Sequence, residues 1–222
     1  MVGIIVRVFA AVGIFGAVHS LLASRQAKAK AVEWFGERDR AGLYRPFFIA
    51  QSFVTLAALF GYLARLPDRT LYRLRGFPAM LLRIGQASGL AYAVWAAYEV
   101  GIFRITGLRS LLAWANGETP VPPEPEAQGP APLIEPRQGR KPLKLHTEGP
   151  FQLSRHPLNL APLPVFWLAP TMTVKRLAFN IAATVYMVLG SKHEEYRLER
   201  AYGKAYWWYQ RSGVPFYVPK GK

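Results

Sequence analysis

The segment Thr147-Glu148-Gly149-Pro150-Phe151-Gln152-Leu153-Ser154-Arg155-His156-Pro157-Leu158-Asn159 opens the last third of the chain, and the rest of that third is organised around it. Pro157 has no backbone donor and suits a first helical turn, so Arg155 and His156 are predicted at the start of a helix. A helix N-terminus with cations beside it suits a carboxylate or phosphate ligand. The alternative interpretation is an interfacial anchor, in which Arg155 reaches towards lipid headgroups.

Two apolar runs, 158–170 and 174–190, follow this segment and are joined by turn-like residues. Both runs are short and prolines bend the first, which favours a tight helical hairpin over two straight spans. Glu194 and Glu195 come soon after the second run. If the hairpin closes, these carboxylates meet the Arg-His pair on one side of a membrane, and this is the central prediction. Taken alone, Glu194 also fits a solvated helix start that pairs with Arg197.

The composition favours a membrane protein over a nucleic-acid-binding protein. The 222 residues are compatible with one domain, 51% of them are hydrophobic, and the formal net charge is +15. Lys and Arg residues flank the apolar runs instead of forming a stripe, which is typical of membrane topology signals. We therefore predict no nucleic-acid partner. The chain has no cysteine, which excludes disulfides, thiolate metal sites and a cysteine nucleophile. No metal is predicted.

Three further apolar runs lie in the front half, at 2–23, 43–66 and 80–103. Each reaches the roughly 20 residues that a membrane-spanning helix needs. A signal peptide is the alternative for the first run, but its length and the later runs favour a retained helix. The charged segment Ser24–Gly42 between the first two runs is predicted to be a short surface helix.

We predict an all-α, polytopic integral membrane fold with about five transmembrane helices and a C-terminal amphipathic helix. Residues 1–115 are predicted to hold the N-terminal helices, 116–146 a Pro-rich cytoplasmic linker, and 147–222 the hairpin and tail. The amphipathic helix is predicted over Tyr196–Arg211. The residues expected to share one of its faces are Leu198, Tyr202, Ala205 and Tyr209.

The charge distribution predicts the orientation of this fold. Five spans place the charged segment, the linker and the tail on one side, which then carries most of the Lys and Arg residues. By the positive-inside rule this side is cytoplasmic and the N-terminus is external. Trp207 and Trp208 in the tail suit the lipid headgroup region.

The combined pattern is far more specific than its parts. Gly-Pro-Phe-x-x-Ser-Arg-His-Pro-x-Asn occupies 149–159, Glu-Glu 194–195, Tyr-Gly-x-x-Tyr-x-x-Tyr 202–209 and Val-Pro 214–215. This pattern resembles the isoprenylcysteine carboxyl methyltransferase superfamily over about the last 75 residues. The front half, with His19-Ser20-Leu21-Leu22-Ala23, looks more weakly like the small bacterial branch that includes NnrU and methanethiol S-methyltransferase.

The resemblance implies a membrane enzyme that binds S-adenosylmethionine in 147–222, at the cytoplasmic face of a bacterial cytoplasmic membrane. Methyl transfer from a sulfonium is an in-line displacement, for which the protein supplies orientation and excludes water. The residues predicted to be catalytic are Arg155 and His156. The residues predicted to bind the cofactor are His156, Pro157, Asn159, Glu194, Glu195, Tyr206 and Tyr209. The usual pattern is Arg-His-Pro-x-Tyr-x-Gly, whereas this chain has Asn159 and Ala161 in place of Tyr and Gly.

The methyl acceptor is predicted to be a small or lipophilic thiol, carboxyl or amine that is reached from the bilayer, with membrane lipids as neighbours. A carboxylate needs no base. A thiol or an amine must lose a proton, and His156 or His193 is the predicted base. His19 and Glu99 are further candidates, because polar residues inside predicted spans are functional by default. A buried ion pair of Glu99 with Arg83 or Arg104 is the alternative for that carboxylate.

Two other functions remain open at this point. The first is a non-catalytic, NnrU-like membrane accessory protein that keeps the pocket for another purpose. The second is an NADPH-dependent reductase, because sterol and steroid reductases share a similar Arg-His-Pro segment. The Glu-Glu pair and the closing Tyr-Gly-x-x-Tyr element favour a methyltransferase over the reductase.

Overall fold

The protein is a bundle of long α-helices with one small β-ribbon. The computed structural model describes residues 2–120 and 147–218. In chain order the elements are α1 (Val2–Ala23), α2 (Arg25–Arg65), β1 (Thr70–Arg73), α3 (Gly76–Val100), α4 (Ile102–Ile105), α5 (Leu108–Ala115), a short 3-10 helix (Gly149–Gln152), α6 (Pro157–Leu160), α7 (Pro162–Trp167), β2 (Thr171–Thr173), α8 (Val174–Tyr202) and α9 (Lys204–Arg211). The predicted helical character is confirmed, with the ribbon as the exception.

The ribbon β1–β2 lies at one end of the bundle, and no strand is predicted there from the sequence. Thr70 is paired with Thr173 and Arg73 with Thr171, in antiparallel register. Strands this short show no alternating pattern that could be read from the sequence. The pairing satisfies backbone groups where the chain leaves α2 and enters α8.

Helices α1, α2 and α8 pack along one another. Val8 of α1 belongs to a buried cluster with Leu63 of α2 and Ala182 of α8. Nearer the C-terminus of α1, Gly16 leaves room for the ring of Tyr186, because a Cβ at this glycine would lie 2.9 Å from the ring. These contacts make α1 parallel to α8. Tyr44, near the middle of α2, donates to the carbonyl of Leu22, so α1 and α2 are antiparallel.

Helix α2 joins two segments that are predicted to be separate, the surface helix at 24–42 and the span at 43–66. The predicted boundary between a surface helix and a span at Gly42 is wrong, because α2 continues past it and through Pro46. The interruption lies instead at Gly36, whose φ of 82° and ψ of 164° are outside the helical range. Glycine tolerates this positive φ because it has no Cβ.

Helix α3 packs against α6 and α7, which together form the first arm of the predicted hairpin. The amide of Gln86 donates to the carbonyl of Val165 over 2.7 Å. A Cβ at Gly89 would lie 3.0 Å from Pro164, so the two helices approach closely. The arm is divided into two short helices because Pro162 and Pro164 cannot donate backbone hydrogen bonds.

The second arm, α8, extends well beyond the second apolar run and into the predicted tail helix. The prediction of one helix over Tyr196–Arg211 is therefore wrong. Gly203, with φ of 53° and ψ of −125°, separates α8 from α9 and reorients the chain. As a result Ala205, predicted to share a face with Leu198 and Tyr209, is exposed, whereas Tyr206 and Tyr209 are buried.

Within the described residues, two helices are long and apolar enough to cross a membrane, namely α1 and α2. The five-span topology therefore stays a prediction. The Pro-rich linker falls mainly on residues 121–146, which lie outside the described residues. The division of the chain at 115 and 146 accordingly stays a prediction as well.

Candidate functional site

The C-terminal tail folds over the Arg-His segment at the end of the bundle away from the β-ribbon. The N–H of Arg155 donates to the carbonyl of Pro215 over 3.0 Å. The guanidinium of Arg155 donates to the carbonyl of Val214 over 2.8 Å, and Ser154 Oγ donates to the carbonyl of Phe216 over 2.9 Å. All three acceptors are backbone carbonyls, so the path of the tail backbone is fixed on this segment.

Two carboxylates of α8 pair with the two cationic side chains. Arg155 Nε donates to Glu195 Oε1 over 2.7 Å, and His156 Nδ1 lies 3.2 Å from Glu194 Oε2. His156 Nε2 is 3.4 Å from Glu195 Oε1 but does not form a well-aligned hydrogen bond with it. The His156 side chain is 0% exposed, and those of Arg155, Glu194 and Glu195 are 14–16% exposed. The structure thus brings together the four residues on which the central prediction rests.

The surroundings of this cluster favour its charged forms. Burial alone lowers the pKa of His156, but the hydrogen bond to Glu194 and the nearby carboxylate charges of Glu194 and Glu195 outweigh burial and raise this pKa above 6.5. Burial alone raises the pKa of Glu195, but His156 and Arg155 outweigh it and hold this pKa below 4.5. Opposite charges within a few ångströms cause both shifts. The cluster therefore favours a protonated imidazole between ionised carboxylates.

Tyr206 and Tyr209 of α9 border the charged cluster. Tyr206 is 1% exposed, and its hydroxyl donates to Glu195 Oε1 over 3.3 Å. The hydroxyl of Tyr209 donates to the carbonyl of Phe151 in the short 3-10 helix. Burial raises the pKa of both phenols, so both act as neutral hydrogen-bond donors.

An uncharged chain of hydrogen bonds runs beside the cluster. Asn159 Nδ2 donates to Ser191 Oγ over 2.7 Å, and Ser191 Oγ is 2.8 Å from the hydroxyl of Tyr217. Asn159 is among the residues predicted from the sequence, whereas Ser191 and Tyr217 are not. One available signal was helical spacing, because Ser191 precedes Glu194 and Glu195 by three and four residues and so lies on the same face of α8.

Pro157 is the first residue of α6, as predicted, but α6 has only 4 residues. A helix this short offers little dipole for binding an anion, and the side chains of Arg155 and His156 bind the α8 carboxylates instead. The ring of Phe216 packs on His156 with 4.8 Å between centroids. The same ring lies 5.8 Å from the Arg155 guanidinium, a cation–π distance.

The other candidate residues lie apart from this cluster. His19 is in α1, with Nδ1 3.1 Å from Ser52 Oγ of α2. His193 is exposed on α8, directly before the carboxylate pair. The carboxylate of Glu99 lies against the 3-10 helix, where a Cβ on Gly149 would be 3.2 Å from it. Among the residues that the structure describes, no group of three or more His, Asp or Glu residues could hold a metal ion.

The chain is similar to curated proteins of known name. It is 38% identical over 78 residues to the methanethiol S-methyltransferase of Crocosphaera subtropica, which covers 35% of this chain and 30% of that protein. It is 25% identical over 206 residues to the methanethiol S-methyltransferase of Pseudomonas deceptionensis, covering 90% and 67%. The chain is thus similar over most of its length to proteins named methanethiol S-methyltransferase. A third match, in Mycobacterium tuberculosis, is 25% identical over 218 residues and covers 90% of this chain and 72% of the relative.

These methanethiol S-methyltransferase relatives confirm the predicted resemblance to the small bacterial branch of the superfamily. They also support the predicted methyltransferase class. The aligned part covers less than a third of the first relative and about 70% of the others. No protein-family model matches the chain, and no solved structure matches it.

Proposed function

We propose that this protein is an integral membrane methyltransferase that transfers a methyl group from S-adenosylmethionine to a small thiol. One observation carries the proposal. The buried cluster of Arg155, His156, Glu194 and Glu195, enclosed by the tail, occurs in a chain that aligns over 90% of its length with proteins named for thiol methylation. The names of those relatives favour a thiol over the carboxyl and amine acceptors that the sequence left open.

The donor set of the cluster fits the chemistry of S-adenosylmethionine. Glu195 uses Oε1 for Arg155 and Tyr206, which leaves its Oε2 as an acceptor for a ribose hydroxyl or an ammonium group. The ring of Phe216, which packs on His156, suits contact with an adenine ring or a cation. Arg155 suits a ligand carboxylate. His156 Nε2 is a buried polar atom without a hydrogen-bond partner in the described part of the chain.

When bound, S-adenosylmethionine supplies an electrophilic methyl group on its sulfonium. The residues of this chain bind and orient the reactants around it. Glu194 and Glu195 offer carboxylates whose geometry is fixed by Arg155 and His156. Tyr206, buried at 1% exposure, keeps water away from that pair. Such positioning is the main contribution that a protein makes to an in-line displacement.

A thiol acceptor must lose its proton, and the assignment of His156 as the base stays a prediction. Its Nε2 has no hydrogen-bond partner in the described part of the chain. Because its pKa is raised, the imidazole accepts a proton only as the pH rises through that value. Thiol methylation is therefore expected to increase with pH across this range. His193 is exposed, whereas His156 is buried against both carboxylates, so His193 is the weaker candidate.

The membrane location is part of the proposal. Large apolar side chains face outward along the bundle, among them Ile14 at 67%, Phe53 at 69% and Val94 at 67% exposure. A soluble protein rarely exposes apolar surface this extensively. We place the bundle in a bacterial cytoplasmic membrane with five spans, membrane lipids around it, and the His156 end and the C-terminus on the cytoplasmic side.

A labelled-methyl assay tests the proposal. The full chain in lipid nanodiscs is supplied with S-adenosylmethionine carrying an isotopic methyl group and, in parallel, with methanethiol, a short-chain carboxylate or a short-chain amine. We expect label in dimethyl sulfide. His156→Gln should lower turnover by roughly 100-fold or more, whereas His193→Gln should change it by about twofold at most.

Three results would contradict parts of this account. Label only in the carboxylate or amine product would exclude the thiol. Equal losses in His156→Gln and His193→Gln would exclude His156 as the base. Absence of transfer to any acceptor, in protein that still binds S-adenosylmethionine, would favour the non-catalytic accessory protein.

A further inference from the structure

A cavity lies beside the β-ribbon, at the end of the bundle opposite the His156 cluster. Its volume is about 510 Å³, and it is bounded by α2, α7, β2 and the start of α8. None of the residues predicted for the cofactor site lines it. This volume is within the range of ordinary ligand-binding pockets. The methyl-transfer proposal gives this cavity no role.

The floor of the cavity is aromatic. Phe179 of α8 packs against Phe60 of α2 with 5.4 Å between ring centroids and against Phe166 of α7 with 5.3 Å. All three rings line the cavity. Phe60 is 47% exposed, so this floor is open to the outer surface of the bundle. An apolar chain that enters from that surface would meet these three rings and the aliphatic side chains of Leu63 and Val165.

The rim of the cavity is basic. Lys175 Nζ donates to the carbonyl of Leu66 over 3.2 Å and lies 3.8 Å from Asp68 Oδ2. Arg176 is exposed, and its guanidinium makes no hydrogen bond or ion pair with the described part of the chain. Asp68 is the one acid among the lining residues, so the rim carries one uncompensated positive charge.

The backbone donors at the start of α8 are already occupied, so the cationic side chains are the available anion-binding groups. The N–H of Lys175 donates to Asp68 Oδ1 over 3.1 Å, and the N–H of Arg176 donates to Thr173 Oγ1 over 3.1 Å. The N–H of Val174 donates to the carbonyl of Arg69 over 2.9 Å. An anion here would bind Arg176 first and Lys175 second.

We propose that this cavity binds one anionic phospholipid, with an acyl chain on the phenylalanine floor and the headgroup phosphate at Arg176 and Lys175. Charge complementarity carries the choice of ligand, because an apolar floor under an uncompensated cation matches an anionic amphiphile. The proposal rests on the membrane location given above and is independent of methyl transfer. Under the proposed topology, the lipid comes from the external leaflet.

Native mass spectrometry of the delipidated full chain in detergent tests this site. The protein is titrated with phosphatidylglycerol and, separately, with phosphatidylcholine of the same acyl chains. We expect tighter binding of phosphatidylglycerol, weakened about fivefold in Arg176→Gln. The matched control is Arg75→Gln, because Arg75 is an exposed cation at the same end that does not line the cavity.

A second pair of variants tests the apolar floor without changing charge. Ala64 of α2 lines the cavity, and Ala64→Trp should fill it and abolish preferential binding of phosphatidylglycerol. Ala58→Trp is the control, since six residues earlier on a helix is about 120° away and Ala58 does not line the cavity.

Either of two results would overturn the proposal. If Arg176→Gln and Arg75→Gln weaken phosphatidylglycerol binding equally, the lipid is attracted diffusely to a basic surface and not bound in the cavity. Displacement of the lipid by inorganic phosphate at millimolar concentration would mean that the site recognises free phosphate and not a phospholipid. S-adenosylmethionine binding is measured on each variant, because a variant that binds neither the lipid nor S-adenosylmethionine has unfolded. The two proposals fail separately, since the lipid titration does not depend on methyltransferase activity.

Discussion

Glu195→Gln should loosen the closure of the tail over the candidate site while keeping the shape of the side chain. Glu195 Oε1 accepts from Arg155 Nε at 2.7 Å and from Tyr206 at 3.3 Å, and it faces His156 Nε2 at 3.4 Å. The variant leaves the Arg155 guanidinium, only 14% exposed, without its carboxylate. Hydrogen bonds to charged groups contribute about 1.5–3 kcal/mol, and breaking a fully buried pair costs about 3–5 kcal/mol.

Because both partners keep some exposure, we expect a loss of about 2–3 kcal/mol in the free energy of local opening. This corresponds to amide exchange that is faster by about 30-fold to more than 100-fold. Hydrogen exchange with mass spectrometry should detect it in peptides covering 153–160 and 205–218. The N–H of Arg155, which donates to the carbonyl of Pro215, is the amide of most interest.

Glu199→Gln is the matched control for this prediction. Glu199 lies one turn further along α8, and within the described residues its exposed carboxylate accepts one hydrogen bond, from the side chain of Gln210 at 2.8 Å. Exposed pairs contribute little, so exchange should change by about twofold or less. Equal acceleration in Glu195→Gln and Glu199→Gln, or no acceleration in either, would refute the argument that the buried pair holds the tail closed.

Three further predictions concern the same end of the bundle. Because the pKa of His156 is raised above 6.5, its stabilising contribution is complete below pH 6.5 and is lost as the pH rises through the raised value. Because the pKa of Glu195 is lowered below 4.5, its contribution is complete above pH 4.5 and is lost as the pH falls through the lowered value. The thermal midpoint of unfolding, followed by fluorimetry in nanodiscs, should therefore be highest between pH 4.5 and pH 6.5. His156→Gln should remove the fall in this midpoint at higher pH, and a fall that persists in the variant would contradict the assignment of that fall to His156. Gly203→Ala should lower the free energy of unfolding by about 1–3 kcal/mol, because φ is 53° at this position. The control Gly190→Ala lies within α8, where a Cβ would have nothing within 4 Å, and it should raise the free energy of unfolding by about 0.5–1 kcal/mol. Equal effects of the two variants in urea titrations would contradict this prediction. Tyr217→Phe removes the hydroxyl 2.8 Å from Ser191 Oγ and should lower the free energy of local opening of the tail by about 1 kcal/mol. Amide hydrogen exchange in the tail should become faster, and unchanged exchange would show that this contact does not hold the tail in place.

The meeting of the Arg-His segment with the Glu pair could be predicted because it depends on chain direction alone. Two apolar runs joined by a short turn must return the chain to its starting side, and helical spacing then places Glu194 and Glu195 on adjacent faces of α8. The resemblance implies that Tyr206 and Tyr209 help to close the cofactor pocket, and this role stays a prediction. Both side chains are buried in the structure.

The errors arose where one residue changes the direction of the chain. Helical periodicity holds only along a continuous helix, so Ala205 was predicted to share a face with Leu198 and Tyr202, whereas the positive φ at Gly203 rotates α9 away from that register. The boundary predicted at Gly42 failed for a related reason. Charge and hydropathy change there, but the backbone breaks at Gly36. The β-ribbon was missed because its pairing joins residues about 100 positions apart in sequence.

Ser191 and Tyr217 illustrate a different limit of sequence reasoning. Each is an ordinary residue in its own segment, and only the docking of the tail on α8 brings their hydroxyls to 2.8 Å. The basic, aromatic-floored cavity was missed for the same reason, since its lining comes from four separate elements.

The most direct test of the central claim is binding of S-adenosylmethionine to the cluster around His156 and Glu195. Calorimetry on the full chain in lipid nanodiscs, with NADPH as the parallel titrant, measures it. We predict micromolar binding of S-adenosylmethionine, lost in Glu195→Gln and retained in Glu199→Gln, and no binding of NADPH. Binding of NADPH alone would favour the reductase, and binding of neither ligand would contradict the account of a cofactor site here.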